Sequence, residues 1–304
     1  MRRLTYALST IVLSFVMAKN SFAVGDAIVL KAQAIEKRLN ARVGMAVIDT
    51  GSDRRWLYNA EARFPLNSTF KAFACGALLY QADAGKNDLN KATRVTREEM
   101  IPYAPVAEKL IGQSVSLDRL CAATMRTSDN VAANKILASI GGPEGMTHFM
   151  REIGDSVTRL DRREPDLNEA MPGDLRDTTT PAAAVASLRK LVLGNVLSVA
   201  SREKLTRWMI EDAVGGPLLR AGIPSAWRIG DRTGAGGHGS RSVIAVMWPP
   251  SHAPVVVAVF ITETTATMEV RNAAIAELGA ALAQEVLSPS PERVPRQLSV
   301  RYQN

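Results

Sequence analysis

The chain holds very little cysteine and histidine. Its 304 residues include two cysteines, Cys75 and Cys121, and three histidines, His148, His238 and His252. Two thiols are too few for a structural zinc site, and the histidines are too scattered to complete one, so no metal is expected. Charge of one sign is also scarce. The formal net charge is +7, but residues 1–23 carry Arg2, Arg3 and Lys19 with no acid, so removing those three cations leaves +4. The stretch from Ser288 onward adds Arg293, Arg296 and Arg301 against Glu292, a further +2 of that total. The body is therefore nearly balanced, which argues against a nucleic-acid partner. There is no internal repeat, and no long hydrophobic run after the first residues. With 46% hydrophobic and 22% charged residues, the chain has ample material for a globular core.

The one apolar run, Leu4 to Ala18, follows Arg2-Arg3 and precedes Ser21-Phe22-Ala23. A charged, then apolar, then small-residue order is that of a secretory signal, with cleavage expected after Ala23. The run is shorter than the about 20 residues that span a bilayer, and Lys19 interrupts it, so the exported chain is expected to carry no membrane segment. In an oxidising compartment Cys75 and Cys121 are expected to bridge.

Apolar positions from Val24 to Leu39 recur with helical period, and Arg42 to Ile48 alternates before a turn at Asp49–Asp53 and a second strand at Trp56–Tyr58. Residues 66–220 read as mainly helical. Strands return at Ala226–Asp231, Arg241–Trp248 and Val255–Thr262, and a last helix spans Thr267–Leu287. Strands at both ends with helices between them predict an α+β fold, an α/β sandwich. Its sheet lobe comprises residues 24–65 and 221–287, with an inserted all-helical lobe at 66–220 and a disordered tail at 288–304. A cleft between the lobes is the expected site.

Four short motifs carry chemistry. Ser68 and Lys71 stand three apart at the head of the apolar run Ala72–Tyr80, so on a helix the amine reaches the hydroxyl and can activate it. The same spacing at Ser187/Lys190 and Ser201/Lys204 lacks that apolar setting and reads as solvated residues on surface helices. Ser128-Asp129-Asn130 supplies a second hydroxyl and an amide, or simply a turn and helix cap. Glu164, before Pro165, lies in a charged, Pro/Gly-punctuated stretch from Arg162 to Asp177 that reads as an Ω-loop. Arg232-Thr233-Gly234 ends a strand in small residues, Ala235-Gly236-Gly237, and no helix follows to make a phosphate loop.

S-x-x-K, S-D-N and a K-T-G-like triplet, in this order, form the set known from penicillin-binding proteins and class A β-lactamases. Glu164-x-x-Leu167-Asn168 adds the element of the hydrolytic class A enzymes. The motif starts are separated by 60, 36 and 68 residues, as in that family, and the resemblance covers residues 25–287, including the two cysteine positions. Arg232 replaces the usual lysine of the triplet. It keeps the charge but cannot exchange a proton, and the replacement resembles a carbenicillin-hydrolysing branch.

The resemblance implies that penicillins, including carboxypenicillins, are hydrolysed through an acyl-enzyme on Ser68, giving antibiotic resistance. It makes Lys71, or Glu164 acting through water, the acylation base, and Ser128 the proton donor to the lactam nitrogen. The N–H groups of Ser68 and Ala235 would form the oxyanion hole. Arg232, Thr233, Gly234 and Arg241 would line the subsite for the substrate carboxylate, with Tyr103 as a cleft wall and Asn130 on the side-chain amide. Glu164 and Asn168 would hold the hydrolytic water, on a loop braced by Arg162 and Asp177. The enzyme would be a periplasmic monomer without cofactor. A D-alanyl-D-alanine peptidase shares every motif but the Glu164 loop. A penicillin-sensing domain would retain the adduct, and normally continues into a transmembrane signalling part.

Overall fold

A computed structural model describes residues 27–288. The signal at 1–23 and the tail from residue 289 lie outside them. Helix α1 (Ala27–Leu39) leads into strands β1 (Arg42–Asp49), β2 (Arg55–Tyr58) and the short β3 (Phe64–Pro65). Next come α2 (Phe70–Asp83), β4 (Ala92–Arg94), β5 (Ser114–Ser116), α3 (Leu117–Thr127), α4 (Asn130–Ser139) and α5 (Gly142–Glu152). The chain continues through β6 (Thr178–Thr179), α6 (Pro181–Val192), α7 (Val199–Ile210) and the one-turn α8 (Leu219–Gly222). It closes with β7 (Arg228–Ala235), β8 (Arg241–Trp248), β9 (Val255–Thr262) and α9 (Met268–Leu287).

The main sheet is antiparallel and five-stranded, in the order β2-β1-β9-β8-β7, so strands from the two chain ends pair directly. In the β1–β9 register Arg42 faces Thr262 and Asp49 faces Val255. Strand alternation sorts the apolar residues into two cores. Val43, Met45, Val47, Val257, Val259 and Ile261 pack with Ile28 and Ile35 of α1 and with Ile275 and Leu278 of α9. Ala46, Ile48, Val256, Ala258 and Phe260 point the other way, into the core shared with the helical lobe. Burial on both faces explains why β8 and β9 read as nearly continuous apolar runs.

The helical lobe is built around α2, which is buried from Phe70 to Leu79 and packs against α3, α4, α5 and α7. A helix apolar on all sides belongs in an interior. Cys75 on α2 is bridged to Cys121 on α3, with Cα atoms 5.9 Å apart. The expected fold is therefore present, with two differences. Strand β7 does not stop at Asp231: Arg232, Thr233, Gly234 and Ala235 pair with Ile244, Val243, Ser242 and Arg241. Those eight ladder positions override the local glycine signal. The stretch read as helical also contains the small sheet β4–β5 and strand β6, which pairs with β3 just ahead of that stretch.

Candidate active site

Ser68 lies in a 3₁₀ turn, Asn67–Thr69, that runs directly into α2. One turn later the Lys71 amine donates to Ser68 Oγ at 2.8 Å. The same nitrogen lies 2.9 Å from Ser128 O, 3.1 Å from Ser128 Oγ, 2.6 Å from Asn130 Oδ1 and 3.0 Å from Glu164 Oε1. An ammonium has three N–H donors, so these five oxygens share them. Lys71 and Glu164 are both fully buried side chains. Burial pulls the Lys71 amine down to about 8, against the attraction of Glu164, and the nearby Arg232 charge adds to the lowering.

Ser128 occupies the left-handed region, φ 65°, at the end of α3, which turns its side chain back toward Lys71. Asp129 is structural. One oxygen caps α4 through Ala132 N at 2.8 Å, and the other accepts Val106 N at 2.9 Å and Ala107 N at 2.8 Å. These bonds fix the loop carrying Tyr103, whose carbonyl accepts Asn130 N at 3.0 Å. Asn130 donates from Nδ2 to Pro102 O at 3.0 Å, so its amide spans the loop and Lys71.

The Glu164–Pro165 peptide bond is cis. Asn134 on α4 clamps Glu164 by its backbone, accepting its N–H at 3.0 Å and donating to its carbonyl at 2.9 Å. One Glu164 oxygen meets Lys71, and the other accepts from the Asn168 side-chain amide. The loop ends are braced by Arg162 Nε on Asp177 at 2.6 Å, while Asp177 also accepts Asp161 N at 2.8 Å and Arg162 N at 2.9 Å. Asn134 was missed in the sequence because it sits among small residues with no motif around it. Its position one helical turn after Asn130 was the available signal.

Strand β7 lies against the Ser68 turn. A Cβ on Gly234 would sit 2.5 Å from Ser242 Oγ and 3.0 Å from Ser68 N, so only glycine allows this approach. A Cβ on Gly236 would meet Asn67 Nδ2 at 2.2 Å and Asn168 O at 2.6 Å, and Gly237 N donates to Asn168 O at 2.8 Å. The turn after β7 is thereby stitched to the Glu164 loop.

The resulting cavity, about 360 Å³, is lined by the predicted Ser68, Tyr103, Ser128, Asn130, Asn168, Thr233, Gly234, Ala235 and Arg241. Val214 and Met268 join them, which no motif indicated. Lys71, Glu164 and Arg232 stand behind this wall. Arg232 is fully buried, donating to Met125 O at 3.0 Å and Ser68 O at 3.3 Å and facing Asp212 at 3.3 Å. Its Nη2 has no partner among the described residues. Burial lowers its proton affinity, while Asp212 and Asp231 oppose that. Arg241 donates to Asn272 Oδ1 at 2.8 Å and Gly234 O at 3.0 Å; burial and the Arg232 and Arg271 charges bring it down to about 10.

The two decoy pairs are corrected by the structure. Ser187 and Ser201 are buried, not solvated, and each donates to a carboxylate, Asp155 at 2.8 Å and Asp83 at 2.7 Å. Their lysines turn elsewhere: Lys190 donates to Ile153 O and Lys204 to Asp118, each at 2.5 Å. Only at Ser68, of the three, does the lysine reach the hydroxyl.

Known proteins are similar to this chain in sequence and fold. Residues 28–286 match the β-lactamase enzyme family. β-Lactamase AER-1 of Aeromonas hydrophila is 49% identical over 84% of this chain and 84% of that protein. β-Lactamase PSE-4 of Pseudomonas aeruginosa is 50% identical over 81% of this chain and 86% of its own. A solved ancestral (GNCA) class A β-lactamase superposes with a TM-score of 0.83 at 48% identity, covering 84% of this chain and 99% of that one. With the serine–lysine pair, the opposed second serine and the loop-borne glutamate in one cleft, the chain belongs to the β-lactamase enzyme family, as a serine hydrolase of class A.

Proposed function

We propose that the chain destroys penicillins, carboxypenicillins among them, by acylation and deacylation of Ser68. The observation that carries this reading is the Glu164 carboxylate, held between Lys71 and Asn168 directly behind the nucleophile. Ser68 attacks the lactam carbonyl, and its proton leaves toward Lys71 and Glu164. The N–H groups of Ser68 and Ala235 receive the oxyanion, a contribution of about 3–4 kcal/mol per donor in comparable sites. Ser128, 3.1 Å from the Lys71 amine, returns a proton to the lactam nitrogen as the ring opens. Water activated by Glu164 and oriented by Asn168 then hydrolyses the ester.

Thr233 and Arg241 meet the substrate carboxylate on the cavity wall. Arg232 acts from behind, through its field and its unpartnered Nη2. Tyr103, 58% exposed, forms the outer wall, and Asn130 the inner contact to the substrate's side-chain amide. The proposed enzyme is periplasmic and monomeric; among the described residues no helix is long and apolar enough to cross a membrane. The kinship with PSE-4 and with CARB-3 of Pseudomonas aeruginosa, 50% identical, supports the carboxypenicillin assignment.

Benzylpenicillin and carbenicillin consumption by catalytic amounts of enzyme tests the reading. Many turnovers on both are expected. One equivalent consumed, or cleavage of a D-alanyl-D-alanine peptide in place of the lactam, would refute it.

A further inference from the structure

A second cavity, about 520 Å³, lies away from Ser68, between the edge strand β2 and helix α6. Its volume falls within the about 300–1,000 Å³ typical of small-molecule sites. The sequence creates it in two ways. Helix α6 packs over β1, β8 and β9, and its side facing β2 carries the small residues Ala182 and Ala186. Register also places Leu57 opposite Ala46 and Arg55 opposite Ile48, so these four share one sheet face. The floor is apolar, made by Ala46, Ile48, Val185 and Leu193, and Leu57 on the rim is left 47% exposed.

The cavity is electrically polarised. Arg55, Arg189 and Lys190 line it with a single acid, Glu61. Ala182 N donates to Ala60 O at 3.0 Å, which sets Glu61 at the N-terminal end of α6. Asp53 approaches Arg189 only to 3.9 Å, which sets the β1–β2 turn and Arg55 at the opposite end. Arg55 forms no ion pair among the described residues, and the Arg189 contact is long and exposed at 40% and 75% for the two side chains. Two guanidinium groups at one end of an apolar trench fit a ligand with one anionic head and an apolar tail. From Ala182 to Leu193 the helix advances about 16 Å, the reach of an extended medium-length alkyl chain.

We propose that this trench binds a free medium-chain fatty acid, with its carboxylate on Arg55 and Arg189 and its tail over Leu57 and Ala186. The site shares no residue with the cavity at Ser68. Calorimetric titration with dodecanoate, below its micelle concentration, tests this on the intact enzyme. One equivalent should bind, and dodecyltrimethylammonium should bind at least tenfold more weakly. The double variant Arg55→Glu/Arg189→Glu should lose at least tenfold in dodecanoate affinity. Ala186→Trp, which fills the trench, should abolish binding, and Leu57→Ser provides a milder change in the same direction. All variants should hydrolyse penicillin at the parent rate. Equal binding of the cationic and anionic amphiphiles, affinity unmoved by these substitutions, or association with anionic vesicles but not with monomeric dodecanoate would overturn the proposal.

Discussion

Lys71 shows how burial adjusts a single residue for chemistry. Its amine contacts five oxygens, yet desolvation brings it down to about 8, so at neutral pH it remains mostly protonated. A protonated amine cannot take the Ser68 proton, so we propose Glu164, through water, as the neutral-pH base. The two roles separate in Glu164→Ala. Glu164 raises the Lys71 affinity for its proton, so its removal moves Lys71 below 8, and neutral lysine then becomes available as base. Acylation of Glu164→Ala, followed by stopped-flow, is expected to rise with pH to a plateau, with its midpoint below 8. A profile that falls with pH through that range would contradict this assignment. Ser68 was legible because an apolar run followed it. The decoys at Ser187 and Ser201 also proved buried, so burial alone did not mark the nucleophile; what did was a lysine whose amine reaches the serine hydroxyl.

At the scale of elements, the Glu164 loop depends on two supports: the Arg162–Asp177 pair, whose acid is 1% exposed, and the Asn134 clamp on Glu164's own peptide groups. Asp177→Asn should cost about 1–3 kcal/mol, less than a wholly buried pair, since Arg162 keeps Glu169 and some solvent. Asn134→Ala should cost less stability but slow deacylation by at least tenfold, because it frees the backbone that aims Glu164. Urea melts and single-turnover deacylation rates check both. An Asn134→Ala variant that deacylates at the parent rate would show that the loop holds itself.

The pair was legible through the family resemblance, which matched Arg162 and Asp177 as the charges flanking the loop. Asn134 was not, because its partners are backbone groups 30 residues away and leave no trace in the local pattern. Strand β7 was truncated in the sequence reading for a similar reason: the Arg232–Ala235 segment becomes strand through its register with β8, which composition does not encode.

For the whole molecule, the sheet joins the two ends of the described chain and the cleft opens where the helical lobe meets it. Period-2 and period-3.6 patterns made this layout legible, since the central strands β1, β8 and β9 divide their side chains between two cores. Legibility was lost where small sheets such as β3–β6 have only two residues per strand, too short to show a period. The Cys75–Cys121 bridge ties α2 to α3, the helices that deliver Ser68 and Ser128. A loop of 46 residues corresponds to about 4 kcal/mol at most. The Cys75→Ala/Cys121→Ala variant should therefore melt earlier while keeping its parent kcat at low temperature. An unchanged melting curve would place the bridge outside the stability of the fold.

The central claim is that Glu164 releases an acyl group from Ser68. Intact mass of parent and Glu164→Ala proteins after a benzylpenicillin challenge tests it most directly. The account predicts an unmodified parent and a variant carrying one penicilloyl group, mapped by peptide mass to Ser68. A variant that stays unmodified while turning over at the parent rate would contradict it.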